Sequence, residues 1–284
     1  LPGLALYAAW VALPLVNSFL LSFTDWSLTR PATPVGFANY ARALSDPLFW
    51  RSFGSTVGYT IVTVAGQLVL GLGAALLLNE RIPGRGILRL VYYLPVITSW
   101  VIVSLVFLYL YNGQAGALNW LLVDVLGVLE RDVAWLAEPS TALWAIAILG
   151  IWKGIGWTMV VFLAGLQAVP DELYEAAAMD GAGPWSKFRH ITLPLLRPTT
   201  SFLLVVLTIG GFNAFISIFV LSSAATGQVG GPLNSTDTLL TYLWKQSFAQ
   251  LDLGYAAALS FIVAAVIGVI SLIELRVARG MASA

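Results

Sequence analysis

Six long apolar runs divide the chain, separated by stretches where charges, prolines and glycines collect. A helix needs about 20 mostly apolar residues to cross a bilayer. By that measure the pattern predicts spans over about 4–23, 54–79, 90–111, 141–168, 199–222 and 254–273. The runs are much longer than the alternating segments of roughly ten residues that build membrane barrels. The predicted fold class is therefore an all-α membrane protein with six transmembrane helices in one domain over 1–284. The opening run is too long for the apolar core of a signal peptide and has no basic flank, so it reads as a retained span, with a polar segment expected ahead of Leu1. Between the first two runs, GFANYARALSDPLFW reads as an interfacial helix ended at Asp46-Pro47, with Phe37, Tyr40, Phe49 and Trp50 at headgroup level. It serves equally as a connector resting on the bilayer or as a docking surface. The turn residues Gly230-Gly231-Pro232 mark a loop.

Composition agrees with the runs. The chain is 59% hydrophobic and 10% charged, with mean hydropathy +0.87, whereas a soluble domain carries about 25% charged residues. Its natural solvent is lipid. Charge then orients it. Arg81, Arg85, Arg89, Lys187, Arg189, Arg197, Arg276 and Arg279 crowd the short loops after runs two and four and the C-terminus. Arg30, Arg42, Arg51, Arg131 and Lys245 are spread over the longer loops on the other side. The positive-inside rule makes the first set, and with it both termini, cytoplasmic.

Several chemistries are excluded or weakened. Cysteine is absent, so disulfides and thiolate chemistry are impossible. No GxxxxGK[ST] phosphate loop surrounds any of Lys153, Lys187 or Lys245. The sole histidine, His190, sits beside Arg189 and Lys187 without a metal or triad partner. An intramembrane enzyme would need paired catalytic groups inside the spans, where only Lys153 is charged. An ion-driven transporter would show intramembrane acids or broken helices, and the predicted spans hold no acids. No catalytic residue, metal site or nucleic-acid partner is expected.

The most polar stretch, DELYEAAAMDGAGPWSKFRHITLPLLRP, falls in the cytoplasmic loop 170–198. Pro170 opens or closes a helix, Asp171 and Glu172 suit a first turn, and Gly181 suits a C-terminal stop. The predicted helix of about three turns is too short to be stable alone. Leu173, Ala176, Ala177 and Asp180 recur on one face. That face fits a docking helix for another protein, or a linker lying on the membrane. Pro184 starts a second short helix, and Pro194 and Pro198 bend the chain into the fifth span.

Inside the spans, Lys153 stands out beside Trp152, Gly154, Gly156 and Trp157. A mid-membrane lysine costs roughly 2.5–3.5 kcal/mol on insertion scales and faces a cavity or a partner, unless it snorkels to the interface. Indoles offer flat faces and one donor, suited to sugar rings. Trp100, Phe212 and Phe215 fit either a path or simple packing, and Asn213 either a path or an interhelical hydrogen bond.

The loop residues also carry a resemblance. Glu175-Ala176-Ala177, then Gly181, Ile191 and Leu193-Pro194 at their spacing match the EAA signature of ABC-importer permeases. SFTDW, FANYARALSDPLFW, ALLLNERIPGRGILRLVYYLP, IWKGIGW, GLQAVPDELYEAAAMDGA, GGP and a late GYAAALS resemble the sugar-permease branch, with its maltose-type and glycerol-phosphate-type members, over Leu13 to Arg276. The resemblance implies the type I importer fold and a plasma-membrane location in a bacterium or archaeon. It implies a second, unlike permease as partner, two ATPase subunits that hold ATP and Mg2+, an external solute-binding protein, and a sugar-type substrate. Glu175, Ala176, Ala177, Asp180, Gly181, Ile191, Leu193 and Pro194 would form the coupling helix and its flank. Trp100, Lys153, Gly154, Trp157, Gly211, Asn213 and Phe215 would line the path. The maltose case expects a neutral residue where this chain has Lys153, which leaves room for another glycan or a polyol phosphate.

Overall fold

The computed structural model describes residues 2–80 and 82–282, and the side chains up to 277. Arg81 and the Arg279 side chain, both counted in the charge asymmetry above, therefore lie outside the described residues. The fold is helical; among the described residues the only strand-like pairings are isolated bridges. Among the described residues, five helices are long and apolar enough to cross a membrane, and a bent pair makes six.

Span one runs from Pro2 to Leu21. The helix Ala38–Ser45 is tied to the rest of the chain. Arg42 pairs with Asp252 at 2.6 Å and its guanidinium lies 3.9 Å over the Tyr255 ring. Asp46 caps the next helix by accepting from the Leu48 amide at 2.8 Å, and its other oxygen accepts from the Tyr242 and Tyr255 hydroxyls. Pro47 occupies the first helical turn, where its missing N–H is harmless, so span two begins at Pro47 and runs to Asn79. Phe49 and Trp50 thus belong to span two rather than to an interfacial helix, and Phe49 is buried.

Span three departs most from expectation. It is two helices, Arg85–Ile97 and Trp100–Leu110, bent by 99°. Pro95 cannot donate to the helix ladder, and Thr98 and Ser99 are extended (ψ 142° and 137°). Span four is the single helix Ala142–Gln167, close to its predicted limits. Span five, Arg197 to Thr226, is interrupted after Phe212 and resumes at Ile216. The last helix starts at Leu253 and continues to Ala282, well past the predicted end of span six. Glu274 therefore lies within a helix, accepting at 2.8 Å from Thr208 in span five. The expectation of no acid in the spans is corrected: hydropathy marks apolar length, whereas the helix runs on beyond it.

The loop before span five folds as Asp171–Met179, a turn, and a helical run from Pro184. Pro194 and Pro198 do not bend it sharply. A π-turn over Phe188–Thr192 absorbs the first proline, and Leu196 keeps helical angles between Leu193–Leu195 and span five.

Three apolar clusters hold the bundle. One joins Tyr59, Phe107, Ile146, Leu149 and Leu221. A second joins Ala75, Met159, Phe162, Leu196 and Leu203. A third ties Phe49 and Phe212 to Tyr255 and Leu259 of span six. Small residues permit the closest approaches. A Cβ added at Gly156 would collide with the Tyr92 carbonyl oxygen and lie 3.1 Å from Tyr93 Cα. Backbone cannot yield as a side-chain tip does, so Gly156→Ala is expected to destabilise the chain by about 1–3 kcal/mol. Gly73→Ala in span two, with nothing within 4 Å, should be neutral or slightly stabilising. Thermal unfolding of the two purified variants in one detergent checks this pair.

Candidate functional site

Span four passes Leu149 in the first cluster and Met159 in the second. Between them it presents Gly150, Lys153, Gly154 and Trp157 to a cavity of about 430 Å³. The break in span three brings Val96 and Trp100 to the same cavity, and the break in span five brings Gly211, Asn213 and Phe215. All seven path residues named from the sequence thus meet around one space. Trp152 and Phe212 do not: Trp152 faces outward and packs on Phe107, and Phe212 is buried in the third cluster.

Span two contributes residues that the sequence reading missed. Tyr59, Thr63 and Gln67 line the cavity. They recur every four residues, so they share one helix face. That spacing of polar side chains within an apolar run was the available signal. Gln67 donates to the Gly150 carbonyl at 3.3 Å. A Cβ at Gly150 would lie 2.7 Å from the Tyr59 hydroxyl, and one at Gly154 would strike the Gln67 amide. The glycines of span four are therefore seats for the polar groups of span two. Ser217, from the second half of span five, completes this side.

Lys153 does not snorkel. Its side chain is buried (4% exposed), and Nζ donates to the carbonyls of Pro95 at 2.5 Å, Thr98 at 2.7 Å and Val96 at 3.4 Å. Nζ also lies 4.8 Å from the centre of the Trp100 ring, within cation–π range. Asn213 donates to the Ile209 carbonyl of its own helix at 2.8 Å, so no interhelical bond holds it. Its side chain is exposed toward the cavity it lines.

On the loop before span five, Pro170 adopts extended angles (ψ 132°) ahead of the helix Asp171–Met179, and Asp171 and Glu172 fall in the first turn. Gly181 has φ +76°. The Ala182 amide bonds back to the Ala177 carbonyl at 2.8 Å and the Gly181 amide to Ala178 at 3.1 Å. This paired closure is the Schellman stop that a left-handed glycine allows. Tyr174 and Thr192 share a hydrogen bond of 2.9 Å, joining the helix to the run that enters span five. Ala177, Ile191 and Pro194 are half-buried, whereas Glu175, Ala176, Asp180, Gly181 and Leu193 are exposed. The exposed face ends at Met179, which is 89% exposed.

On the opposite side, the loop before span six is knotted rather than open. Gly230, Gly231, Leu233 and Asn234 all take positive φ, and Lys245 ties Asp237 at 2.5 Å and Asn234 at 2.9 Å. Burial holds the Asp237 carboxyl above its ordinary range, with the Lys245 hydrogen bond opposing.

Comparison with known proteins identifies the family. Residues 67–283 match the family described as binding-protein-dependent transport system inner membrane component. A trehalose/maltose transport system permease protein of Thermococcus litoralis is 36% identical over 280 residues, covering 98% of this chain and 92% of the relative. A sulfoquinovosyl glycerol transport system permease protein of Agrobacterium fabrum is 34% identical over 281 residues, covering 98% and 88%. Among solved structures, a chain of a bacterial alginate ABC transporter, in complex with an alginate pentasaccharide-bound periplasmic protein, is similar in fold. Its TM-score is 0.84 at 24% identity, covering 99% of this chain and 92% of that one. Broken spans and the Glu274 carboxylate are features also found in ion-driven carriers, but kinship decides against that reading. The chain belongs to the binding-protein-dependent transport system inner membrane component family, and is a multi-pass inner-membrane permease of the ABC importer type, a translocation component rather than an enzyme.

Proposed function

We propose that this chain forms part of the translocation path for a sugar or related polyol, handed over by an external solute-binding protein. The carrying observation is the mid-bundle cavity. Its volume of about 430 Å³ lies within the roughly 300–1,000 Å³ usual for small-molecule sites. Its wall combines two indoles with hydroxyl and amide groups, Trp100 and Trp157 with Tyr59, Thr63, Gln67 and Asn213. Flat apolar faces with hydrogen-bonding edges suit a sugar ring. Relatives named for trehalose/maltose and sulfoquinovosyl glycerol transport support the carbohydrate class.

The energy source sits elsewhere. The helix Asp171–Met179 presents Glu175 and Ala176 outward and is closed by Gly181. We assign it as the coupling helix for a separate ATPase subunit, which holds ATP and Mg2+. Two ATPases and a second, unlike permease complete the assembly. The arginine- and lysine-rich loops support a cytoplasmic coupling helix and cytoplasmic termini under the positive-inside rule. ATP-driven closure would then swing the permease pair between inward- and outward-facing states, a bistable rigid-body change.

Two measurements test these assignments. Glu175→Ala and Gly181→Val should insert and reach the membrane normally, while uptake falls to background. Gly181→Val has no steric neighbour within 4 Å, so its penalty of about 1–3 kcal/mol comes from the left-handed backbone alone. Normal uptake with either change would sink the coupling assignment. Asn213→Ala should raise the uptake KM about threefold or more with little change in complex yield, as loss of a ground-state contact does. An unchanged KM removes Asn213 from the path.

A further inference from the structure

Among the residues lining the cavity, only Lys153 carries a formal charge. An ammonium has three N–H donors, and here three carbonyl oxygens receive them. Pro95 and Val96 end the first half of span three; Thr98 lies in the extended link to the second half, which Trp100 begins. The lysine comes from span four, 55 residues further along the chain from Thr98, yet it ties the end of the first half to the link and touches the second half at Trp100. A broken helix leaves carbonyls without helical partners, and at membrane depth such backbone persists only where protein satisfies it or where it lines a water-filled cavity. Lys153 meets these carbonyls, and its Nζ lies 4.8 Å from the centre of the Trp100 ring on the same cavity wall.

We propose that Lys153 is the positioning residue of the path: it pins the two halves of span three at their 99° bend and sets Trp100 at the wall, rather than binding the solute. This rests on the reading that the cavity is the path. With the ammonium saturated, the wall presents amide, hydroxyl and indole groups and no free counter-charge. The pocket therefore suits an uncharged saccharide segment, and offers a carboxylated one no free N–H donor of Lys153.

The absence of cysteine allows spin labels to report the bend. Ile87 and Tyr109 are exposed, one on each half of span three. Cysteines there, labelled with nitroxides in the fully assembled transporter in lipid nanodiscs, should give one narrow distance distribution with Lys153 present. Lys153→Met removes every donor and should broaden or shift it; Lys153→Gln keeps two donors and should fall between, and it serves if the methionine variant does not assemble. Transport of maltose by the same variants should lose about tenfold or more in kcat with KM within about threefold, the mark of lost positioning. A label distribution unchanged in both variants overturns the proposal. So does a rise in KM of about tenfold at constant kcat, which marks a ligand. A wild-type preference for a uronate-bearing disaccharide that Lys153→Gln abolishes would show the charge to be free, and overturns it too. The distance measurement stands apart from uptake, so a cavity that is not the sugar path leaves the pin testable.

Discussion

A lysine ammonium and a set of unpaired backbone carbonyls are each costly inside a bilayer, and at the middle of this bundle they satisfy one another. Removing either partner would leave the other without its protein partners at the depth of the membrane, where unpaired polar groups are costly. This mutual dependence allows span three to break. The break in turn makes room for the cavity: a straight helix through Pro95 would carry no extended link at Thr98 and Ser99. The close packing of Gly156 on the Tyr92 backbone seats the first half of the span against span four, beside the lysine that pins it.

The cavity itself is a gap between two well-filled regions. On one side Tyr59, Phe107 and Leu149 interlock, and on the other Ala75, Met159 and Phe162. The glycines of span four lie between them, and they create space without inviting collapse because Tyr59 and Gln67 of span two rest directly over them. Polar groups in the wall are thus held by contact with backbone, so the site is largely formed before any solute arrives.

Much of this was legible in the residue order, and its limits have physical causes. Apolar runs give span number, because bilayer thickness sets their length. The helix Asp171–Met179 was legible almost to the residue, since Asp171, Glu172 and Gly181 act locally at its two ends. The break in span three was not. Pro95 was visible, but many membrane helices bend at proline without breaking, and the stabilising donor is Lys153, far away in sequence. The break at Asn213 has no proline at all. Glu274 was missed because hydropathy ends where helix six does not. Tyr59, Thr63 and Gln67 were overlooked because uncharged side chains barely perturb an apolar run, although their four-residue spacing places them on one face.

The join between Tyr174 and Thr192 gives the hairpin before span five a mechanical character. Thr192 sits on a helical run that continues through Leu196 into span five and stops at Asn213, on the cavity wall. The 16 residues from Arg197 to Phe212 make a strut of about 24 Å at 1.5 Å per residue. Helices resist compression far better than loops do. A thrust on the hairpin would therefore travel along this rod and be released at its free end, where the chain is already jointed and the cargo would lie.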